Sequence, residues 1–257
     1  MLRIATWNVN SLRVRLPHVL QWLESEQPDV LALQETKLTD ENFPVEEINN
    51  AGYHVSFSGQ KTYNGVATLS KTEALNVITD FPGFDDPQRR ILCVTIDNVA
   101  VLNLYIPNGA EVDSEKYHYK LKWLSHLQKF TESLVNKYEN VVLLGDFNIA
   151  PEDRDVHDPV AWQGKILVSQ PERDAFQLLL KQSLIDCFRI FEQQENSFSW
   201  WDYRAAGFAR DRGLRIDHIL ATDTLADLCT ACRIDKTPRG LERPSDHTPV
   251  IADFDCS

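Results

Sequence analysis

The sequence contains no long hydrophobic run and few cysteines. None of its apolar stretches approaches the roughly 18 consecutive residues that a transmembrane helix needs, so we expect no membrane partner. The first residues, MLRIATWNVN, lack the charged start and the apolar region of a secretory signal, which favours a cytoplasmic location. Five cysteines, an odd number in a chain of 257 residues, do not indicate a disulfide framework.

The sequence also lacks the signature motifs of several enzyme classes. It has no P-loop, no dinucleotide-binding fingerprint and no Gly-x-Ser-x-Gly nucleophile turn. Cys229 and Cys232 form one Cys-x-x-Cys, but a structural zinc site needs about four ligands and no second pair exists. We interpret the cysteines as reduced structural thiols, with a redox or metal role for this pair as the minor alternative.

Basic residues are fewer than acidic ones, with 26 Lys and Arg against 38 Asp and Glu, and the net charge is −12. An acidic chain is unusual for a protein that binds nucleic acid. However, carboxylates that hold a divalent cation count as negative in the sequence, although their patch attracts phosphate once the metal binds. The net charge therefore does not exclude a nucleic-acid substrate.

The chain has no Gly/Ser linker and no low-complexity tract, so we expect a single domain over residues 1–257. Apolar spacing predicts helices at about 12–26, 114–138 and 171–180. The segment from 53 to 105 has the alternating pattern of successive strands. This mixture predicts an α/β fold in which two sheets pack face to face with helices outside.

The strand-like runs repeatedly end in a residue that can take part in chemistry. LRIATWN, DVLALQE, VAVLNLYIPN and VVLLGDFN are examples. LRIDHIL carries Asp217 inside such a run, and RPSDHTPVIADF places Asp246 and His247 just before a final run. In a sandwich, polar groups at several strand ends can meet at one edge of the core. The polar residues in or directly after these runs are Asn8, Glu35, Tyr105, Asn108, Asp146, Asn148, Asp217, Asp246 and His247.

Each of these residues also has a purely structural interpretation. Asn8 could cap a turn, and Glu35 could cap a helix. Asp146 and Asn148 would share one face of an extended strand, but they could instead form an Asx-turn that leaves the sheet. His247 could be a core histidine that a carboxylate satisfies. A buried carboxylate without a partner costs several kcal/mol, so a whole set at strand ends favours a site.

The set as a whole suits metal-assisted phosphodiester hydrolysis. Mg²⁺ prefers carboxylate oxygens, waters and substrate phosphate, and Mn²⁺ has similar preferences, so we expect Mg²⁺ with Mn²⁺ able to substitute. A carboxylate can accept a proton from the attacking water. A metal ion and a protonated histidine can stabilise charge on the phosphate oxygens.

Seven motifs resemble the exonuclease III family of DNA-repair enzymes, within the wider endonuclease/exonuclease/phosphatase superfamily. They lie in order between residues 3 and 254, and PSDH together with SFSWWDYR and GLRID is the most specific combination. The resemblance implies a four-layer αββα sandwich with two mixed sheets, and hydrolysis of DNA phosphates with a divalent metal. The motifs are TWNVNSLR, ALQETK, LYIPNG, GDFNIAP, SFSWWDYR, GLRIDHIL and PSDHTPV.

The resemblance also implies roles for these residues. It implies that Glu35 is the principal metal ligand and that Asp146 orients or deprotonates the attacking water. Residues that help to hold the metal, its waters or the scissile phosphate are Asn8, Asp146, Asn148, Asp246 and His247. His247 would bind non-bridging oxygens, oriented by Asp217. Tyr105 would lie near the scissile group and Asn108 against phosphate. Asn10 stands where some relatives have aspartate, which leaves open whether one or two ions bind.

The segment WWDYRAAGFARDRGLRID, residues 200–217, interleaves aromatic rings with arginines. Rings can stack on an unstacked nucleotide or fill an abasic gap while guanidinium groups hold phosphates. A buried aromatic cluster beside a solvated loop is the alternative. The DNA-binding candidates are Asn10, Asn108, His157, Trp200, Trp201, Arg204, Phe208 and Arg212, with Arg210 and Arg215 in the same segment. Arg89, Arg90, Lys116, Lys120 and Lys122 are expected to extend the phosphate-binding face.

The first functional hypothesis is therefore a nuclease, acting as a monomer on double-stranded DNA that is abasic, nicked or blocked at its 3′ end. The alternatives are a phosphodiesterase of the same superfamily for inositol phosphate or lipid, and a non-catalytic DNA-binding module. His157 follows the GDFN motif, and we hypothesise that its ring narrows the pocket and selects among DNA substrates. A solvated loop histidine, or a cap to Asp155 or Asp158, is the alternative.

Overall fold

Two six-stranded mixed sheets dominate the computed structural model, which describes residues 1–256. The first sheet has the order β13-β14-β1-β2-β4-β3, and the second has the order β5-β6-β7-β8-β12-β9. The strands of the first sheet are β1 (Leu2–Asn8), β2 (Val30–Gln34), β3 (His54–Ser58), β4 (Val66–Ser70), β13 (Cys229–Ile234) and β14 (Val250–Phe254). Those of the second are β5 (Leu75–Ile78), β6 (Ile91–Ile96), β7 (Val99–Tyr105), β8 (Asn140–Asp146), β9 (Leu184–Asp186) and β12 (Asp217–Thr222).

The remaining elements are six α-helices, a short ribbon and several single 3₁₀ turns. The ribbon pairs β10 (Trp200–Trp201) with β11 (Gly213–Leu214). The helices are α1 (Leu12–Glu26), α2 (Val45–Asn50), α3 (Glu115–Lys137), α4 (Pro159–Trp162), α5 (Gln170–Leu180) and α6 (Asp223–Ala226). The predicted long helices agree with α1, α3 and α5 to within one residue at each end. No helix in the described part of the chain is long and apolar enough to span a membrane.

Three apolar layers show how the sheets and helices stack. Side chains of both sheets, such as Ile4 and Val142, form a cluster between the sheets. Leu12 and Trp22 of α1 pack on the outer face of the first sheet. Residues of α3 and α5, such as Trp123, pack on the outer face of the second sheet. The order is therefore helices, sheet, sheet, helices, which confirms the predicted αββα sandwich.

The two sheets have a similar core arrangement around their central strands. β1 and β2 run parallel, with α1 as the connection between them, and β7 and β8 run parallel, with α3 as theirs. Each pair is flanked by antiparallel strands, β14 beside β1 and β12 beside β8. Residues that follow the carboxyl ends of β1 and β8 can therefore meet residues from the strands beside them.

Gly145 permits an unusually close approach of β7 to the end of β8. Its φ is +143°, and a Cβ atom at this position would lie 1.9 Å from the Leu104 carbonyl oxygen. Only glycine fits such a gap without moving a backbone. The strand therefore reaches Asp146 with its backbone pressed against the neighbouring strand.

The five cysteines are free thiols. Cys187 and Cys232 are buried in the layer between the sheets, and Cys229 packs against the same layer. Within residues 1–256, the group of side chains placed to share a metal ion includes none of them.

Candidate active site

The central strands of both sheets deliver Asn8 and Asp146 to the space between the sheets. Ile4 of β1 and Val142 and Leu144 of β8 lie in the inter-sheet cluster. Because alternate side chains of a strand share a face, Asn8 and Asp146 point into the same layer. The Asn8 side-chain amide donates a 2.8 Å hydrogen bond to Asp146 Oδ2. Both side chains are buried, so this contact is shielded from water.

Glu35 follows β2, whose last residue is paired with Asn8. Its carboxylate accepts hydrogen bonds from the Asn8 amide at 3.0 Å and pairs with the Lys37 ammonium at 2.9 Å. Burial alone would raise the pKa of Glu35, but the Lys37 charge and the Asn8 amide outweigh it and lower the pKa. Glu35 therefore stays ionised in a polar pocket. Its φ of +50° is a strained conformation of the kind that clusters at functional sites.

His247 lies between two aspartates that belong to adjacent strands. Asp217 and Asp146 are register partners in the antiparallel pair of β12 and β8. The His247 Nδ1–H donates to Asp217 Oδ2 at 2.9 Å, while Nε2 lies 3.7 Å from Asp146 Oδ2. Ser199 Oγ donates a 2.6 Å bond to Asp217, which fixes that carboxylate in turn.

The two aspartates raise the pKa of His247 to about 10. Burial acts in the opposite direction, but the charges of Asp217 and Asp146 outweigh it. The imidazole is therefore protonated at neutral pH, with Nδ1–H held by Asp217 and Nε2–H available to a ligand. The predicted orientation of His247 by Asp217 agrees with this geometry.

Burial raises the pKa of the Asp146 carboxyl. The positive charge of His247 opposes this increase, and the negative charge of Asp217 adds to it. A carboxylate with a raised pKa is a better proton acceptor than an exposed aspartate. Asp146 is thus suited chemically to accept a proton from a nearby water.

Asn148 does not continue the strand that carries Asp146, as we expected for an extended segment. β8 ends at Asp146, and Asn148 has a φ of +50°. The backbone N–H of Asn148 donates to Asp146 Oδ1 at 2.9 Å, which is the Asx-turn alternative. The expectation that the two side chains share one strand face is therefore wrong. The turn instead brings Asn148 Oδ1 to 3.0 Å from Asn108 Nδ2.

Tyr105 ends β7 beside Asp146, its register partner on β8. The Arg90 guanidinium lies 4.5 Å from the ring centroid and donates to the Tyr105 carbonyl at 3.2 Å. Burial raises the pKa of Tyr105 well above its ordinary value, and the Glu35 charge raises it further. The phenol is therefore a neutral hydrogen-bond donor at the edge of the site.

Asp246 and Asn10 form a second hydrogen-bonded chain beside the first. Asp246 Oδ1 accepts from the Asn10 amide at 2.9 Å, and Oδ2 accepts from Trp200 Nε1 at 3.1 Å. Asn10 Oδ1 accepts in turn from Lys37 Nζ at 2.5 Å. Lys37 thus joins the Asp246 chain to Glu35. Lys37 was not among the predicted site residues, although it stands two residues after Glu35 in the ALQETK motif.

A group of three side chains among the described residues is placed to share a metal ion. Ligand atoms of Glu35, Asp146 and His247 lie within 4.8 Å of one another. Two carboxylates beside the Asn8 amide fit a hard divalent cation such as Mg²⁺. His247 is the third member of the group, and its Nε2 is the ring nitrogen that Asp217 does not hold. Asp246 lies outside the group.

Burial corrects three of the expected DNA contacts. The Trp201 ring is fully buried, with its Nε1–H bonded to Asp211, so the expectation that it stacks on a nucleotide is wrong. Arg215 is buried in ion pairs with Asp155 and Asp186. Lys120 is buried in an ion pair with Glu172. Neither basic side chain reaches a surface that could hold phosphate.

The other aromatic and basic candidates remain accessible to a ligand. Arg204 and Arg212 are exposed, and Trp200 and Phe208 are half-buried. The Phe208 ring packs edge-on against Trp201 at 5.0 Å, and the Arg239 guanidinium lies 4.8 Å from Phe208. A buried platform thus supports the accessible part of residues 200–212.

His157 is half-buried beside the ribbon of β10 and β11. Its backbone N–H and its Nδ1 both contact the Gly213 carbonyl oxygen, at 3.1 and 3.2 Å. The ring meets the Trp162 ring edge-on at a centroid distance of 6.3 Å. His157 therefore bonds a backbone carbonyl. The alternative in which it caps Asp155 or Asp158 is not what the structure has.

The geometry has close counterparts among known proteins. A model of the Endonuclease/Exonuclease/phosphatase family matches residues 5–247, which include the span from Asn8 to His247. The chain is 39% identical to exodeoxyribonuclease III of Haemophilus influenzae over 267 aligned residues, covering 98% of this chain and 100% of that relative.

Two solved structures are also closely similar. A variant of the 3′ phosphatase NExo from Neisseria, bound to a product DNA hairpin, has a TM-score of 0.98 at 46% identity, covering 99% of this chain and 100% of that one. An AP endonuclease from Archaeoglobus fulgidus has a TM-score of 0.96 at 40% identity, covering 99% and 100%. The sandwich is therefore shared with both of these proteins.

Proposed function

Because the chain belongs to the endonuclease/exonuclease/phosphatase family and is a hydrolase of the nuclease type, we propose that it is a Mg²⁺-dependent DNA-repair nuclease. It hydrolyses phosphodiesters in double-stranded DNA. The observation that carries the proposal is the row Asp146–His247–Asp217, which places a proton acceptor and a cationic donor side by side and opposite Glu35. The motifs of residues 200–217 support DNA as the substrate in preference to a lipid or inositol phosphate.

Asp146 and His247 have different roles at the scissile phosphate. Asp146 accepts a proton from the attacking water, since burial has raised the pKa of its carboxyl. His247 donates its Nε2–H to a non-bridging phosphate oxygen and stabilises the charge that develops there. Asp217 keeps the imidazole ring in this orientation.

The amide and phenol groups around these two residues orient the reactants. Asn148 and Asn108, which bond each other, hold the water or a phosphate oxygen. The neutral Tyr105 phenol donates toward the scissile group. Asn8 keeps Glu35 and Asp146 at a fixed separation. Glu35 and Asp146 would hold a divalent ion, with Asp246 as a more distant carboxylate, and the ion would supply further charge neutralisation at the phosphate oxygens.

We place the DNA across the surface formed by the site and residues 200–212. Trp200 and Phe208 contact the sugar or base side, and Arg204 and Arg212 contact phosphates. Asn10, which bonds Asp246, and Asn108, which bonds Asn148, contact the DNA backbone. We also propose that the protein acts as a monomer in the cytoplasm.

Cleavage of a labelled duplex tests the proposed function. Duplexes with an abasic site, a nick or a 3′-phosphate are incubated with Mg²⁺, with Mn²⁺ and with EDTA. We expect cleavage or 3′-end processing with either metal and none with EDTA. Asp146→Asn serves as the inactive control. Failure to process any of these duplexes in the presence of Mg²⁺ would refute the proposal.

We further propose that the His157 ring, which lies beside Trp162, narrows the pocket that receives the DNA and so selects among these duplexes. His157→Gly removes the ring, whereas His157→Phe keeps a ring but loses the bond to the Gly213 carbonyl. If ring size matters, the Gly variant alone gains activity at internal abasic sites relative to 3′-phosphate ends. Equal substrate ratios for all three proteins would remove His157 from the specificity determinants.

A further inference from the structure

Lys120 lies wholly inside the protein, between α3, α5 and the turn that follows β8. Its ammonium pairs with the Glu172 carboxylate of α5. It also donates to the carbonyl oxygen of Asn148 at 2.7 Å and to that of Asn108 at 3.2 Å. These three acceptors match the three N–H donors of a lysine ammonium. The side chain is therefore fully satisfied without any contact to solvent.

The two carbonyls that Lys120 binds belong to two residues of the site. Asn108 follows β7 and Asn148 follows β8, and their side chains bond each other. One ammonium group thus ties together the backbones of both segments. Gly109 shows how tightly the lysine is packed here, because a Cβ atom on Gly109 would lie 3.2 Å from Lys120 Cδ.

Glu172 is held as firmly as Lys120. Its carboxylate accepts from the backbone N–H groups of Leu167 and Ser169, both at 3.1 Å, and from the Ser169 hydroxyl at 2.6 Å. Both charges are therefore fixed in position by several bonds from different elements. A buried ion pair contributes little net stability compared with well-packed apolar residues, so its stability does not account for its presence.

We propose that Lys120 is a positioning residue, which with Glu172 fixes the Asn108–Asn148 pair at the place where the phosphate and water are held. The inference rests on the proposed nuclease function. Asn148 has a left-handed backbone and needs its surroundings to keep that conformation. Loss of the ammonium releases both carbonyls, and the two amide side chains lose their common orientation. Groups that support a site in this way typically change activity by roughly 10- to 100-fold.

A double-mutant cycle between Lys120 and Asn108 tests this proposal. Lys120→Met, Asn108→Ala and the double variant are assayed on a 3′-phosphate duplex with saturating Mg²⁺. We expect Lys120→Met to lower kcat by roughly 10- to 100-fold with little change in KM. In the Asn108→Ala background, the same change should have a smaller effect, because the Asn108–Asn148 pair that Lys120 positions is already broken.

Leu127→Ala, on the same helix, is the matched control. It leaves a cavity under α3 without touching either asparagine, so its effect should be the same in both backgrounds. If Lys120→Met alone does not fold, the cycle uses Lys120→Met with Glu172→Gln, which leaves no unpaired buried charge. An effect of the Lys120 change that is equal in both backgrounds would overturn the inference. Inactivity of the wild-type protein would instead count against the proposed function.

Discussion

His247 lies between the carboxylates of Asp217 and Asp146, and its distances to the two differ. Asp217 lies within hydrogen-bond distance of Nδ1, whereas Asp146 lies 3.7 Å from Nε2. The first contact fixes the ring and the second leaves Nε2–H free for a ligand. The same arrangement lets Asp146 remain a proton acceptor beside a cation. The roles proposed for these three residues depend on a difference of less than 1 Å between the two contacts, 2.9 Å against 3.7 Å.

Asp217→Asn should therefore impair turnover more than substrate binding. An amide can bond Nδ1 as a donor, which favours the wrong imidazole tautomer and removes the charge that keeps His247 protonated. We expect kcat to fall by about 10²-fold or more and KM to change little. Steady-state kinetics on a 3′-phosphate duplex measure this, with the exposed Asp174→Asn as control. Equal losses in both variants would contradict the orienting role of Asp217.

The raised pKa of His247 also predicts how stability depends on pH. A group whose pKa is about 10 in the folded protein and ordinarily 6.5 stabilises the fold fully below about pH 6.5 and loses this contribution as pH rises through 10. The metal-free protein should therefore lose on the order of a few kcal/mol of unfolding free energy across this window.

Urea unfolding in EDTA at several pH values between 6 and 9.5 measures this dependence. His247→Gln cannot bind the proton, so its stability should fall less steeply over the same window. Parallel curves for the two proteins would show that other groups cause the loss.

At the scale of the elements, the site depends on how closely β7 and β8 approach each other. Gly145 allows the Leu104 carbonyl to lie where a side chain would otherwise be. This contact sets the register that places Tyr105 beside Asp146. The turn after β8 then relies on contacts from other elements, among them Lys120 of α3 and His218 of β12, whose Nε2–H donates to the Ile149 carbonyl at 2.9 Å.

Gly145→Ala should be strongly destabilising. The added methyl group would overlap the Leu104 carbonyl oxygen, and the backbone at φ +143° is poorly accessible to alanine. We expect a loss of roughly 3 kcal/mol or more, measured as a lower urea midpoint. Gly240→Ala is the control, because no atom lies within 4 Å of its added methyl group. A midpoint close to wild type for Gly145→Ala would mean that the strands can separate at little cost.

At the scale of the whole molecule, a net charge of −12 has to coexist with binding of a polyanion. Several of the carboxylates lie in the site itself, where a divalent ion would offset them. The accessible arginines of residues 204–212 lie beside that site, and Arg215 and Lys120, being buried, contribute nothing to the surface. Attraction for DNA therefore comes from a local arrangement of charge and not from the overall sum.

Affinity for duplex DNA should fall as salt concentration rises, because phosphate contacts release counterions. Fluorescence anisotropy with a nicked duplex, at KCl concentrations from about 50 to 300 mM, measures the slope of log K against log salt. Arg204→Ala should reduce the magnitude of that slope by about 1, the amount expected for the loss of one phosphate contact. Lys71→Ala, near the opposite end of the first sheet, should leave it unchanged. An affinity that does not depend on salt would contradict the proposed binding surface.

Local patterns in the amino-acid sequence are enough to predict the main helices and strands and the chemical types of the residues at their ends. The helical spacing of α1, α3 and α5 and the apolar runs of β1, β2 and β8 are local patterns, so they could be read directly. The polar residues that follow those runs, such as Asn8, Glu35 and Asp146, were visible for the same reason. Their number and kind were sufficient to predict phosphodiester chemistry.

Which of these groups meet, and which basic and aromatic side chains face solvent, depends on contacts between segments that are far apart in the sequence. His247 reaches Asp217 and Asp146 because β8 and β12 pair in one register, and pairing between distant segments leaves no local signal. Lys120 and Trp201 are residue types that are common on DNA-binding surfaces, but both are buried here. Lys120 is enclosed in an ion pair with Glu172, and Trp201 is enclosed by packed neighbours. Burial and register are properties of contacts between segments, and they arise only when the two sheets close on each other.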